Sequence, residues 1–90
     1  MDLSTLPEDA WREAVVNYLK EAMRAKGVDY PELARRLSAA GLEMDRVSLA
    51  NRINRKGFTA AFLLQVMAAL DERPEWLAQV AEHRPQDTKT

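Results

Sequence analysis

The sequence predicts an all-α fold in which five short helices form one compact domain. Apolar residues recur at three- and four-residue spacing, cap-forming residues separate these stretches, and no stretch keeps the period-two alternation of a strand. A chain of 90 residues has the size of a single small domain. We therefore expect residues 1–82 to form one helical domain and residues 83–90, which show no pattern, to form a flexible C-terminal tail.

The first two helices are defined mainly by their ends. Helix 1 is predicted to begin near Leu6, because Thr5 and Glu8 have the spacing of a capping box, and to end at Gly27. Helix 2 is predicted over residues 30–40. It is preceded by Asp29, which has Glu32 three residues later, it carries Pro31 in its first turn, and it is closed by Gly41.

The remaining helices follow the same signals. Asp45 is the predicted N-cap of helix 3, which should run from Arg46 to Arg55 before Gly57. Thr59 should cap helix 4, which is apolar on nearly all sides and is therefore expected at the centre of the core, with Phe62, Leu63 and Val66 buried.

Pro74 should occupy the first position of helix 5, where Trp76, Leu77 and Val80 share one face. The two tryptophans, Trp11 and Trp76, are expected in the core. For helix 5 two interpretations stay open: its apolar face covers helix 4, or it contacts a second copy of the chain in a homodimer.

Positive charge is concentrated in one segment. The chain has a formal net charge of -1 and a pI near 5.8, which argues against a broadly basic nucleic-acid-binding domain. Residues 46–57 nevertheless contain Arg46, Arg52, Arg55 and Lys56 and no acidic residue. Any surface for nucleic acid must therefore be local, on or beside helix 3.

Helix 2 contains Y-P-E-L-A-R-R-L, and helix 3 contains L-A-N-R-I-N-R-K-G followed by F-x-x-x-F-L-L-x-V-M-x-A-L. In this order the segments resemble the lambda-repressor-like helix-turn-helix domains over about residues 12–70, with the helix-turn-helix unit at about residues 29–57. The resemblance implies that helix 3 is a recognition helix whose outward positions enter a major groove. The runs W-R-E-A-V and F-T-A-A-F-L-L-Q also resemble a family of small uncharacterised bacterial proteins, which implies a fold but no activity.

Six residues are candidates for DNA contact. Ser48 and Asn51 are the expected base contacts, while arginine and lysine side chains neutralise phosphates. The set is Ser48, Asn51, Arg52, Arg55 and Lys56 on or beside helix 3, with Arg36 on helix 2. The alternatives are a solvated helix face and, for Arg36, a surface pair with Glu32.

These observations favour a double-stranded DNA-binding protein, in a transcriptional or phage-related setting, over an enzyme. The only histidine, His83, falls in the predicted tail, and no phosphate-binding loop or catalytic triad is present in the sequence. No cofactor, metal or small-molecule ligand is implied. The competing interpretation is a protein-interaction module that keeps the helix-turn-helix fold without DNA binding. It is favoured by the net charge and by the altered turn, in which Gly41 comes four residues after Leu37 and not directly after it. The absence of cysteine, of a signal peptide and of a membrane span predicts a cytoplasmic protein.

Overall fold

A computed structural model of the chain describes residues 3–55 and 57–85, and this part of the chain is all-helical. Its elements are a short 3-10 helix, Leu3–Thr5, and the α-helices α1 Glu8–Lys26, α2 Tyr30–Ala39, α3 Arg46–Asn54, α4 Ala60–Ala69 and α5 Glu75–Ala81. The two described segments contain no strand, which confirms the predicted all-α class and its five helices. None of these helices is long and apolar enough to cross a membrane.

Three helices begin at the N-caps that the sequence predicts. The Oδ1 atoms of Asp29 and Asp45 accept hydrogen bonds from backbone N–H groups three residues later, at 3.0 and 2.7 Å. The Thr59 hydroxyl accepts one in the same way at 3.1 Å. Each cap satisfies a backbone donor that has no partner inside its helix, and together they set the starts of α2, α3 and α4.

The start of α1 differs from the predicted capping box. Thr5 belongs to the 3-10 helix, and the Leu6 N–H donates to the Leu3 carbonyl at 3.3 Å. An extended Pro7 then serves as the N-cap without a side-chain hydrogen bond, so α1 begins at Glu8. The prediction that helix 1 starts near Leu6 was wrong, because a local turn takes the backbone out of the helical path first.

Helix ends follow the glycines only in part. Gly27 and Gly41 adopt left-handed conformations with φ of 67° and 99°, as expected for residues that terminate helices. By contrast, α3 ends at Asn54 with Arg55 as its C-cap, before Gly57 is reached. Likewise Pro74 is the N-cap of α5 and not its first helical residue.

The core is built by α1 to α4. Phe62 and Val66 of α4 are fully buried, as predicted, whereas Leu63 is half-buried at the edge. The buried set is Val16, Leu19, Ala22, Met23, Val28, Leu33, Ala34, Leu37, Leu49, Ile53, Phe62, Val66, Met67 and Leu70. No residue of α5 belongs to it.

Both tryptophans lie at the surface, and the prediction that they are core residues was wrong. Trp11 is 43% exposed and Trp76 is 46% exposed. Trp11 lies beside Val15, Phe58 and Leu63 in a shallow cleft at the start of α1. The volume inside α1 to α4 is filled by aliphatic side chains, methionines and Phe62, so neither indole is enclosed in the core.

Three cations from separate parts of the chain converge on backbone carbonyls at the C-terminal end of α4. Arg36 donates to the Ala69 carbonyl at 3.0 Å and Arg73 to the Ala68 carbonyl at 3.2 Å. Lys26 donates to the carbonyl of Asp71 at 3.3 Å. The last carbonyls of a helix lack intrahelical partners and carry partial negative charge, so the contacts from Arg36 and Arg73 stabilise the end of α4, and the contact from Lys26 holds the turn that follows it.

Candidate nucleic-acid interface

The two faces of α3 differ sharply in exposure. Leu49 and Ile53 are fully buried against the core, which follows the predicted periodicity. Ser48, Asn51 and Arg55 lie on the exposed face. The Asp45 cap sets where α3 begins. Because Leu49 and Ile53 then face the core, the polar residues on the opposite side of the helix face solvent.

The exposed face of α3 forms one wall of a surface groove of about 440 Å³, which we call the α3 groove. Four of the predicted contact residues come together there, and the segment before α4 supplies the other wall. Its lining consists of Met44, Ser48, Asn51, Arg52, Arg55, Gly57, Phe58 and Thr59. None of these described lining residues is acidic, so the charge in the groove is positive.

The Arg52 guanidinium lies over the ring of Phe62. Its guanidinium carbon is 4.2 Å from the ring centre of Phe62, which packs edge-on against Phe58 with ring centres 5.4 Å apart. A guanidinium over an aromatic face is attracted by the electrons of the ring while its N–H edges stay directed outward. The stack therefore holds a positive charge in one orientation at the floor of the groove.

Arg46, Asn51 and Arg55 are available to a ligand. Within the described segments neither arginine forms an ion pair, and the Asn51 amide has no side-chain hydrogen-bond partner. Val47 on the same helix is 61% exposed. On one exposed side of α3 the amide of Asn51, the guanidinium of Arg55 and the apolar side chain of Val47 match the chemistry of base edges, phosphates and thymine methyl groups.

Asp45, the N-cap of α3, places a carboxylate at the start of the helix. The Ser48 backbone N–H and hydroxyl hydrogen-bond to Asp45 and hold the pKa of this carboxyl below its usual value. Asp45 is thus charged at neutral pH and bonded to the helix end. A Ser48 hydroxyl that serves Asp45 can still accept a hydrogen bond from a ligand donor.

Two predicted DNA contacts lie elsewhere. Lys56 is outside the described residues. Arg36 is not part of the α3 groove: its Nε donates to Glu32 at 2.8 Å and its Nη1 donates to Ala69. Hydrogen bonds from Arg35 and then Arg36 lower the pKa of Glu32 to about 2. Arg36 therefore connects α2 to α4, and the surface pair anticipated as its alternative role is formed.

The residues predicted for dimer contact lie in a different place. Leu77 and Val80 line a second groove between α4 and α5, and Trp76 is exposed on the same helix. The α3 groove shares no lining residue with this second groove. The described residues also include no group of three side chains suited to hold a metal ion.

Phe58 and Thr59 are groove residues that the sequence did not single out as functional. Both precede α4, and their side chains were interpreted only through the helix pattern and the cap. The available signal was the four-residue spacing of Phe58 and Phe62, which places two aromatic rings on one side of the chain beside α3.

The fold and the groove define a small all-helical domain whose third helix presents a basic, solvent-facing surface. The chain belongs to the family described as Domain of unknown function (DUF6471), which matches residues 11–74. The match includes α2, α3, α4 and most of α1, and it ends at Pro74, immediately before α5. No curated protein and no solved structure matches the chain.

Proposed function

We propose that this domain binds double-stranded DNA as a lambda-repressor-like helix-turn-helix protein, with α3 in the major groove. The observation that carries the proposal is the α3 groove, in which Ser48, Asn51, Arg52 and Arg55 share one surface without an acidic neighbour among the described lining residues. An exposed helix that offers both hydrogen-bonding and cationic side chains suits a duplex, which presents base edges between two rows of phosphates.

The opposite wall of the groove supports the same partner. Thr59 lines it as the N-cap of α4, and the N-terminus of a helix carries partial positive charge. A phosphate in the groove would thus meet the guanidiniums of Arg52 and Arg55 on one side and the positive end of α4 on the other.

Roles within the groove follow from chemistry. Asn51 contacts a base, because an amide pairs bidentately with adenine, and Ser48 is the second base contact. Arg52 and Arg55 of the groove neutralise phosphates, and Lys56, which follows Arg55 in the sequence, is the third proposed phosphate contact. Arg36 takes no part, since its guanidinium is bonded to Glu32 and to the Ala69 carbonyl.

The test is a titration of a labelled mixed-sequence duplex at several salt concentrations. Three phosphate contacts predict a slope of log affinity against log salt of about -2.7, and Arg55→Ala should flatten it to about -1.8. Lys20→Ala is the matched control, because it removes one positive charge from an exposed site on α1 that lies outside the groove. Its slope should equal that of the unmodified protein.

Base contact is tested separately with Asn51→Ala. On a preferred sequence the substitution should weaken binding by about 1–3 kcal/mol, and on unrelated duplexes it should have little effect. Non-specific dissociation constants near 10⁻⁴ to 10⁻⁶ M are typical, so the titration extends to high protein concentration. Binding that is absent, or unaffected by salt, would refute the proposal and leave the protein-interaction interpretation in its place.

A further inference from the structure

Helix α5 is the only α-helix of the described segments that has no buried residue. It spans seven residues, Glu75–Ala81, none of them buried. Its two largest apolar side chains besides Leu77 are half-exposed, Trp76 at 46% and Val80 at 45%. Burial of apolar surface is the main force that holds short helices in place. In a single chain, apolar surface of α5 that could be buried stays in contact with water.

Beside α5 lies an apolar groove of about 670 Å³, which we call the α4–α5 groove. Alanines from both helices form much of its surface, and small side chains leave room for a large one. Its apolar lining includes Ala61, Leu64, Ala68, Leu77, Ala78 and Ala81. The charged residues that border it among the described residues are Arg73 and Glu75, one of each sign.

We propose that the α4–α5 groove binds a second copy of this chain, and that the Trp76 indole of each copy inserts into the groove of the other. The same short helix supplies both the exposed indole and one wall of the groove. In a dimer with a twofold axis, each indole would therefore be covered by the groove of the other copy. A single indole can bury about 150–250 Å² of surface.

The charges at the border also favour a second copy. A twofold arrangement can place Arg73 of each copy opposite Glu75 of the other, so that opposite charges face each other and like charges do not. Arg73 already pairs with Asp71 at 2.8 Å, but its side chain is 63% exposed and has room for a second carboxylate. α5 itself carries one formal charge, Glu75, which limits the cost of removing water from its apolar face.

The contact should be weak. Two short helices with two half-exposed indoles cover less than the roughly 1,200–2,000 Å² of a stable specific interface. We therefore expect a dimer that dissociates with a constant on the order of 10–100 μM, populated at high concentration and absent at low concentration.

Fluorescence offers a direct test because the chain has only two tryptophans. In Trp11→Phe, Trp76 is the single indole, and its emission maximum is recorded from about 1 μM to about 1 mM protein, together with sedimentation equilibrium. The expected result is a shift to shorter wavelength as the mass rises from one chain of 10.2 kDa towards two. The assay contains no DNA, so its outcome is independent of the proposed DNA binding.

Three variants in the Trp11→Phe background locate the contact. Ala78→Glu puts a carboxylate into the groove and should abolish both the shift and the change in mass. Gln79→Glu adds the same charge to the same exposed helix outside the groove lining and should preserve both. Circular dichroism verifies that each variant is folded, and Ala61→Glu, on the α4 wall, provides a second groove variant whose site is exposed.

A mass of one chain with an unchanged emission maximum up to the highest concentration would overturn the proposal. So would a dimer that Ala78→Glu, Ala61→Glu and Gln79→Glu leave equally intact, because the contact would then lie elsewhere.

Discussion

The stack of Arg52 on Phe62 makes one residue of the α3 groove part of the folded core, and its removal should have two separable effects. We expect Arg52→Ala to lower the free energy of unfolding by about 1 kcal/mol, within the range of about 0.5–2 kcal/mol for a cation over an aromatic ring. The middle of the range applies because Arg52 is half-buried and the Phe62 ring beneath it is fully buried. Arg55→Ala, at an exposed site, should change the same quantity by less than about 0.5 kcal/mol.

Urea unfolding followed by circular dichroism measures this difference. With an m-value near 1 kcal/mol/M for a domain of this size, Arg52→Ala should lower the midpoint by roughly 1 M, while Arg55→Ala should leave it nearly unchanged. In DNA titrations both variants should flatten the salt slope by about 0.9, because each removes one proposed phosphate contact.

A double-mutant cycle isolates the stack from the other contacts of Arg52. Phe62→Leu removes the ring but keeps an apolar side chain. In that background Arg52→Ala should lower the free energy of unfolding by about 0.5–1 kcal/mol less than it does in the unmodified protein. Equal costs in both backgrounds would show that the guanidinium gains nothing from the ring. Equal urea midpoints for Arg52→Ala and the unmodified protein would refute the argument as a whole.

Three further predictions concern stability. Phe62→Ala should cost about 3–5 kcal/mol through lost burial and the remaining cavity, enough to unfold much of the chain at room temperature, and a melting curve like that of the unmodified protein would contradict the central position of α4. Thr59→Ala should cost about 1 kcal/mol and lower the melting temperature by about 4–8 °C, because α4 loses its N-cap, whereas Thr59→Ser should restore most of the difference. The pKa of Glu32 is lowered from 4.5 to about 2 in the folded state, so the stability it contributes is present above pH 4.5 and is lost as the pH falls towards 2. Glu32→Gln should therefore show a smaller fall in melting temperature between pH 5 and about pH 2 than the unmodified protein, and parallel curves would exclude the contribution.

Local chemistry explains why much of the fold can be predicted from the sequence. The N-caps of α2, α3 and α4 each join a side chain to a backbone N–H three residues later. The helix starts can therefore be predicted from a few neighbouring residues around Asp29, Asp45 and Thr59. The inward face of α3 follows in the same way from the spacing of Leu49 and Ile53.

The remainder depends on contacts between distant segments. A tryptophan on an apolar stripe predicts burial, but Trp11 and Trp76 are 43% and 46% exposed, because the packing of the assembled helices decides which stripe residues are enclosed. Arg36 illustrates the same limit, because its bond to the Ala69 carbonyl joins residues 33 positions apart. Arg52 was recognised as a cation of helix 3, yet its position over Phe62 required the packing of α3 against α4.

The cations at the end of α4 have a consequence for the order in which the chain folds. Lys26 and Arg36 reach the carbonyls of Asp71 and Ala69 across 45 and 33 residues of sequence, so neither bond exists until α1, α2 and α4 have assembled. A helix of only ten residues is marginal by itself in water. The last turn of α4 should therefore form late and together with the tertiary structure, which couples the secondary structure of α4 to the cooperative folding of α1, α2 and α4.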